Sequence, residues 1–426
     1  MAQVFFYLIL IIIVADFILD RIIDYLNTTR WSDELPEELT DFYNPDQYKK
    51  SQQYERQKHR LSLFIDTVSF IGVLLILIPG GFAWLDNILR GFTSNPIILT
   101  LLFFGIIGLI AGIVSLPFEI YSVFIIEARY GFNTTTPRTF ILDKLKGLFL
   151  SIMIGGGLIC LVVWIYYETG EWFWFLVWCV MSFFILFFSM FYSSLIVPLF
   201  NKQKALEQGA LRDTIESFAA SVGFKIRDIY IIDGSKRSNK ANAYFSGLGI
   251  KKRIVLFDTL CRSHPVVEIV AVLAHEIGHF KNRHISIGIF LSIFQTGLML
   301  FILSFFVKPG DPLTKSLCQA LSGLSNMDVV PSFHLGILGF GLLYNPLSVV
   351  TGILMNMLSR HNELTADRFA GRKYGASYLQ SALKRLSVTH LSNLRPHPWF
   401  VFFHYSHPPL LKRLQALERI KDPFST

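Results

Sequence analysis

The chain of 426 residues is predicted to be a mainly α membrane protein: seven transmembrane helices and a small cytosolic α+β domain built around a zinc site. Three observations predict this. Hydrophobic residues make up 52% of the chain and aromatics 15%, with 40 phenylalanines and a mean hydropathy of +0.46, values typical of integral membrane proteins. Apolar runs of spanning length recur along the chain. Between two of them stands His275-Glu276-Ile277-Gly278-His279.

The apolar runs lie near residues 3–19, 61–85, 97–126, 147–167, 172–200, 285–307 and 333–358. The first is short and carries Asp16 near its end. It lacks the basic leader and small-residue cleavage site of a signal peptide, so it is read as a retained span. Residues 20–60, rich in charge of both signs, are expected to form a solvated connection. Ile226 to Ile232 and Arg253 to Phe257 read as short strands. The expected organisation is membrane helices one to five with their loops over 1–200, a cytosolic insert and the HExxH helix over 201–284, helices six and seven over 285–358, and the rest of the zinc domain over 359–426.

Orientation follows from the basic residues. Of the 39 lysines and arginines, all but Arg90, Lys308 and Lys315 fall after helices one, three and five or in the C-terminal tail. That places the N-terminus outside and the C-terminus in the cytosol. The net charge of +8 is thus a topology signal, and a nucleic-acid partner is not expected. Both halves of the zinc site then fall at cytosolic ends of spans, beside the bilayer.

On a helix, residues four apart share a face, so His275 and His279 can bind one zinc ion. Glu276 is placed to act as general base toward a metal-bound water. A buried His pair can also be structural, but local features favour a built site. Ser263 and Pro265 look like a helix start, with Glu268 favourable in the first turn. Val266 to Leu273 is apolar enough for a buried helix, and the small Gly278 allows close approach by another element.

A catalytic zinc takes three protein ligands and keeps one position for water. Glu363, in Ser359-Arg360-His361-Asn362-Glu363-Leu364-Thr365-Ala366-Asp367, is the expected third ligand. Asp367, one turn on, would orient a ligand histidine through its free ring nitrogen. His361 is an alternative ligand, but its spacing puts it on another helical face. Arg360 is expected to pair with a carboxylate near the zinc. Asn242-Ala243-Tyr244-Phe245 reads as a short strand whose edge could align a peptide by main-chain hydrogen bonds.

These motifs, with Pro198-Leu199-Phe200-Asn201-Lys202, Gly234-Ser235-Lys236-Arg237-Ser238, Lys252 through Leu260 and His404-Tyr405-Ser406-His407-Pro408-Pro409, resemble the Ste24-type CAAX prenyl proteases, membrane zinc metalloproteases of the M48 class. They occur in that family's order from about residue 119 to 415. The resemblance implies a large hollow enclosed by the seven helices, and removal of the C-terminal tripeptide of prenylated CAAX proteins. It makes Asn242 a substrate-binding residue and His407 a residue facing the site that can stabilise an oxyanion. The resulting expectation is a metalloendopeptidase with one Zn2+ per chain, acting on peptide or protein substrates at the bilayer.

Two alternatives accompany it. One is an HtpX-like quality-control protease without prenyl specificity, the other a transporter with a structural zinc site. The membrane would be the endoplasmic reticulum in a eukaryote and the inner membrane in a bacterium. The ending Asp422-Pro423-Phe424-Ser425-Thr426 lacks the basic retrieval-like tail of reticulum relatives. Asp66 and Glu119 lie in or at apolar spans, where ionisable groups are costly. Glu127 through Asn133 is family-like without an evident chemical role. Cys160, Cys179, Cys261 and Cys318 show neither CxxC spacing nor a disulfide framework.

Overall fold

A computed structural model describes residues 1–426 except 36, 38–39, 227, 247–252, 326 and 421–426. Lys252 and the C-terminal ending discussed above therefore lie outside the described residues. Among the described residues, six helical stretches are long and apolar enough to cross a bilayer. One of them, 137–200, doubles back. Gly170 adopts φ 54°, ψ −117° between the helices Gly157–Thr169 and Phe173–Leu195, and Tyr166 and Phe173 pack edge to face at 5.2 Å across the turn. The chain thus makes seven spans and is a multi-pass membrane protein.

Burial along the spans is uneven. In no spanning window is more than 17% of the residues buried. The buried apolar residues of the membrane half gather at one end, where Phe6 and Ile9, Leu77, Phe103, Tyr166, Phe173, Val307 and Phe333 form one cluster. A second cluster, built from the strands and the HExxH helix, lies beyond the other end of the spans. Between the two, apolar side chains such as Ile113, Phe183 and Phe294 stay exposed. Some spans also pack along their length, as where a Cβ on Gly297 would meet Trp178 and where Gln295 donates to Thr351 at 3.1 Å, and the exposed apolar side chains elsewhere suit contact with lipid.

The second span differs from its expected limits. One helix runs Pro45–Leu77 and a separate one Gly81–Arg90. Pro79 and Gly80 break them, since Gly80 takes φ +80° and a Cβ there would lie 2.2 Å from the Ser322 carbonyl oxygen. The connection over 20–60 is also more ordered than expected. The first helix continues to Thr28, the next begins at Pro45, capped by the Asn44 side chain, and Tyr43, Tyr48 and Tyr54 are buried. Tyr43 donates to the Ser387 carbonyl at 2.7 Å, tying this segment to the C-terminal region. Its charges are solvated on one face only, and its aromatic residues supply the other.

Among the described residues, the sheet outside the spans has four strands in the order β1-β2-β4-β3: β1 Gln203–Ala205, β2 Asp228–Ile232, β3 Ala243–Ser246 and β4 Arg253–Phe257. β2 and β4 run parallel with Tyr230 opposite Val255, and β3 is antiparallel to β4 with Ala243 opposite Leu256. β4 is buried along Ile254, Val255 and Leu256, as a central strand of alternating and continuous apolar residues should be. β3 is an outer strand and packs against the HExxH helix.

Candidate metal centre

The helix Val266–Lys281 carries the first two donors. Its N-cap is Pro265, while Ser263 ends the preceding helix Asp258–Ser263 and donates to the Thr259 carbonyl. Ser263 is therefore not the helix start expected for it, because Pro265 imposes the break between the two helices. Glu268 in the first turn is buried and held by Ser381 at 2.6 Å and Arg385 at 2.8 Å. Ile269, Val270, Leu273 and Ile277 bury one face in the domain core. The helix ends where Arg283 takes φ 58°, and the sixth span starts at His284.

The third donor comes from a single helix of 38 residues, Phe333–Ala370, which continues out of the membrane without a break. Glu363 therefore lies on the same rod as the seventh span rather than after it. A Cβ on Gly278 would sit 3.1 Å from the Cα and the carbonyl oxygen of Ala366, so glycine permits the helix–helix approach. That contact sets the distance between the histidines and the carboxylate.

His275 Nε2 and His279 Nε2 are 3.1 Å apart, and Glu363 Oε2 and Oε1 lie 3.4 and 3.3 Å from them. All three residues turn a donor atom inward, within 4.8 Å of one another. His275 and Glu363 are buried, at 6% and 4% exposure. Glu363 Oε2 is buried with no donor in hydrogen-bonding geometry. Lone pairs from two imidazoles and a carboxylate turned on one point are what a divalent cation satisfies, and the N, N, O set suits zinc. The residues fit the metal.

Around the donors lies an orienting layer. Asp367 Oδ1 is 2.8 Å from His275 Nδ1, which leaves Nε2 free to face the metal. Arg413, on the helix Leu410–Glu418, forks onto Asp367 at 2.7 and 2.8 Å and lies 3.6 Å from Glu363. His284 Nδ1 stands 3.1 Å from Nδ1 of His279. Burial pushes the His275 imidazolium toward losing its proton, but the neighbouring carboxylates of Asp367 and Glu363 outweigh this and raise it to about 9.

Arg360 corrects its expectation. Its Nη1 donates to the Val401 carbonyl at 3.0 Å and to that of Tyr405, closing the end of the helix Pro398–His404. The carboxylate partner role belongs to Arg413. A side chain at position 360 leaves the long helix three residues before Glu363 and faces that short helix instead. Neither Arg413 nor His284 carried a recognisable sequence signal, since each reaches the site only through the fold. His361 is exposed and takes no part in the donor cluster.

Glu276, Asn242, Ala243 and His407 line one cavity of about 760 Å³ with His275 and Glu363. His407 Nδ1 lies 3.0 Å from Glu363 Oε2, and its side chain is 64% exposed to this space. The strand expected at 242–245 forms as β3 one residue later, with the Asn242 carbonyl accepting from Phe257 N at 3.0 Å. The helix Pro45–Leu77 closes one wall through Tyr54, Glu55 and Lys58. Asp66 is paired with Arg21 at 2.9 Å and Glu119 with Lys144.

An open three-donor cluster on two helices, a glutamate beside the first histidine and a cavity of peptide size define a membrane-embedded metalloprotease. Residues 24–202 match the family model described as CAAX prenyl protease N-terminal, five membrane helices, and residues 205–421 match peptidase family M48. The chain belongs to peptidase family M48, among the Ste24-type membrane zinc metalloendopeptidases. It is 33% identical to CAAX prenyl protease 1 of Saccharomyces cerevisiae, across 96% of this chain and 94% of that protein. It is also 33% identical to the CAAX prenyl protease 1 homolog of Oryza sativa, across 90% of each. The crystal structure of S. mikatae Ste24p superposes with a TM-score of 0.88 at 31% identity, covering 97% of this chain and 99% of that one. The transporter alternative gives way to this membership.

Proposed function

We propose that this protease cleaves near the C-terminus of protein substrates, prenylated CAAX proteins among them, at one zinc ion held by His275, His279 and Glu363. The observation that carries the reading is the convergence of those three donors, 88 residues apart in one case, on a single point. The names of the similar proteins supply the CAAX substrate class.

When bound, zinc supplies a Lewis acid and an acidified water. Glu276 takes the proton of the attacking water and returns it to the leaving amine. His407, exposed to the cavity, donates to the oxygen that gains negative charge. Asp367 holds His275 in the tautomer that presents Nε2, and Arg413 holds Asp367. Asn242 and the outer edge of β3 align the peptide backbone. The chain sits with its N-terminus outside and its C-terminus in the cytosol, as the basic loops favour. Its membrane is the endoplasmic reticulum if the source is a eukaryote and the inner membrane if it is a bacterium.

The test incubates purified enzyme with farnesylated and unlipidated forms of one CAAX peptide and identifies products by mass, with Glu276→Gln as control. Release of the C-terminal tripeptide from the farnesylated form, absent in the zinc-loaded variant, is expected. Equal cleavage of both forms would remove prenyl specificity and favour a quality-control role.

A further inference from the structure

The segment Glu127–Asn133 has no part in the chemistry above, yet it meets the protease domain at a defined point. The turn after the third span pairs with the strap that leads into β3. Asn133 bridges Ser238 in antiparallel fashion, and Asn239 N donates to the Phe132 carbonyl at 2.9 Å. The Asn239 side chain donates to the Gly131 carbonyl at 2.9 Å. Next along the strap is Lys240, whose side chain turns back toward the membrane half. Its Nζ donates to Glu127 Oε2 at 2.9 Å and to Tyr54 Oη at 2.8 Å, and lies 4.4 Å above the Phe132 ring. Tyr54 in turn donates to Glu127 Oε1.

This small cluster is well packed. Tyr54, Ile126, Tyr130 and Phe132 are buried together, with Tyr54 at 1% exposure. Three separate parts of the chain meet at one ammonium group: the helix entering the second span, the cytosolic end of the third, and the strap. A charged hydrogen bond and a cation–π contact in such surroundings are both directional, so they fix where Lys240 stands. Lys240 is two residues before Asn242, and its carbonyl accepts from Thr259 at 3.0 Å. Tyr54, Lys240, Asn242 and Glu276 line the same cavity.

We infer that Lys240 is a positioning residue for substrate: through Glu127, Tyr54 and Phe132 it sets the place of the β3 edge beside His275 and Glu276. The inference rests on the hydrolytic reading above, with β3 as the strand that aligns the peptide. A peptide long enough to lie along β3 needs the edge in register. A peptide that spans only the scissile bond does not. The membrane half thereby contributes to peptide affinity through the placement of β3.

The experiment uses full-length enzyme with a short and a long peptide sharing one cleavage site. Lys240→Met is expected to raise KM for the long peptide about tenfold with kcat little changed, and to leave the short peptide unaffected. Lys240→Arg, which can still pair with Glu127, should recover most of the loss. Glu127→Gln should give the same shift, and the double variant should add little to either single one. Zinc content reports folding, and if Lys240→Met does not retain the metal, the isosteric Glu127→Gln carries the comparison. Unchanged KM in Glu127→Gln, or equal loss of kcat on both peptides, overturns the inference. Peptide affinity measured in the Glu276→Gln background reads the same effect without turnover. Failure of the wild-type enzyme to cleave anything would therefore count against the hydrolytic reading alone.

Discussion

Asp367 Oδ1 lies 2.8 Å from His275 Nδ1, and the same carboxylate receives a two-pronged guanidinium from Arg413. A histidine of the donor cluster, its neighbouring carboxylate and the cation that holds the carboxylate thus form one buried chain. Removing the middle member should loosen the metal without touching a ligand. Asp367→Asn is expected to weaken zinc binding by about 10–100-fold, read by competition with a chelator of known affinity. Unaltered zinc affinity would show that the contact is incidental.

Under the proposed mechanism, His407 acts on the transition state rather than on binding. His407→Phe should lower kcat by about 10²–10³ with KM and zinc content nearly unchanged, because the donor acts only as charge develops. A rise in KM at constant kcat would assign it to substrate binding instead.

Gly278 sets the spacing of the two helices that carry the donor cluster. Gly278→Val would drive its side chain into the Ala366 backbone, 3.1 Å from a Cβ at that site. The expected cost is about 2–3 kcal/mol in thermal or denaturant unfolding, with loss of bound zinc. Wild-type zinc content in this variant would contradict the geometry.

The acid–base state of His275 predicts a pH dependence with two opposite parts. With its pKa raised to about 9 in the metal-free protein, the imidazolium must lose a proton to accept zinc. Zinc affinity should therefore climb by about tenfold per pH unit between 7 and 9. The metal-free fold runs the other way. A histidine raised from 6.5 to about 9 adds stability that is complete below 6.5 and fades as pH rises through 9. Calorimetry of zinc-free and zinc-loaded protein across that range should diverge with rising pH, and parallel curves would contradict the assignment.

Several features of this protein are written in local patterns. Spans show as apolar runs, and the first two donors as a spacing of four on a helix. Strands β2 and β4 were legible for the same reason: a short apolar run between polar turns has few other uses. Glu363 and Asp367 were legible because they repeat the helical spacing downstream. What local patterns hold, periodicity can report.

Tertiary structure decided the rest. Arg413 reaches Asp367 across 46 residues and His275 across 138, and Lys240 reaches Glu127 across 113. No periodicity encodes such contacts, and isolated arginines and lysines look like any solvated charge. Arg360 shows the same: its proximity in sequence to Glu363 does not say which neighbour its side chain meets, and it meets the Val401 and Tyr405 carbonyls. The break at Gly80 likewise answers to the Ser322 carbonyl, a neighbour 242 residues away. The local sequence determined which groups could do chemistry. Only packing between distant segments decided which of them meet, because buried charges are stable only where the fold supplies a partner.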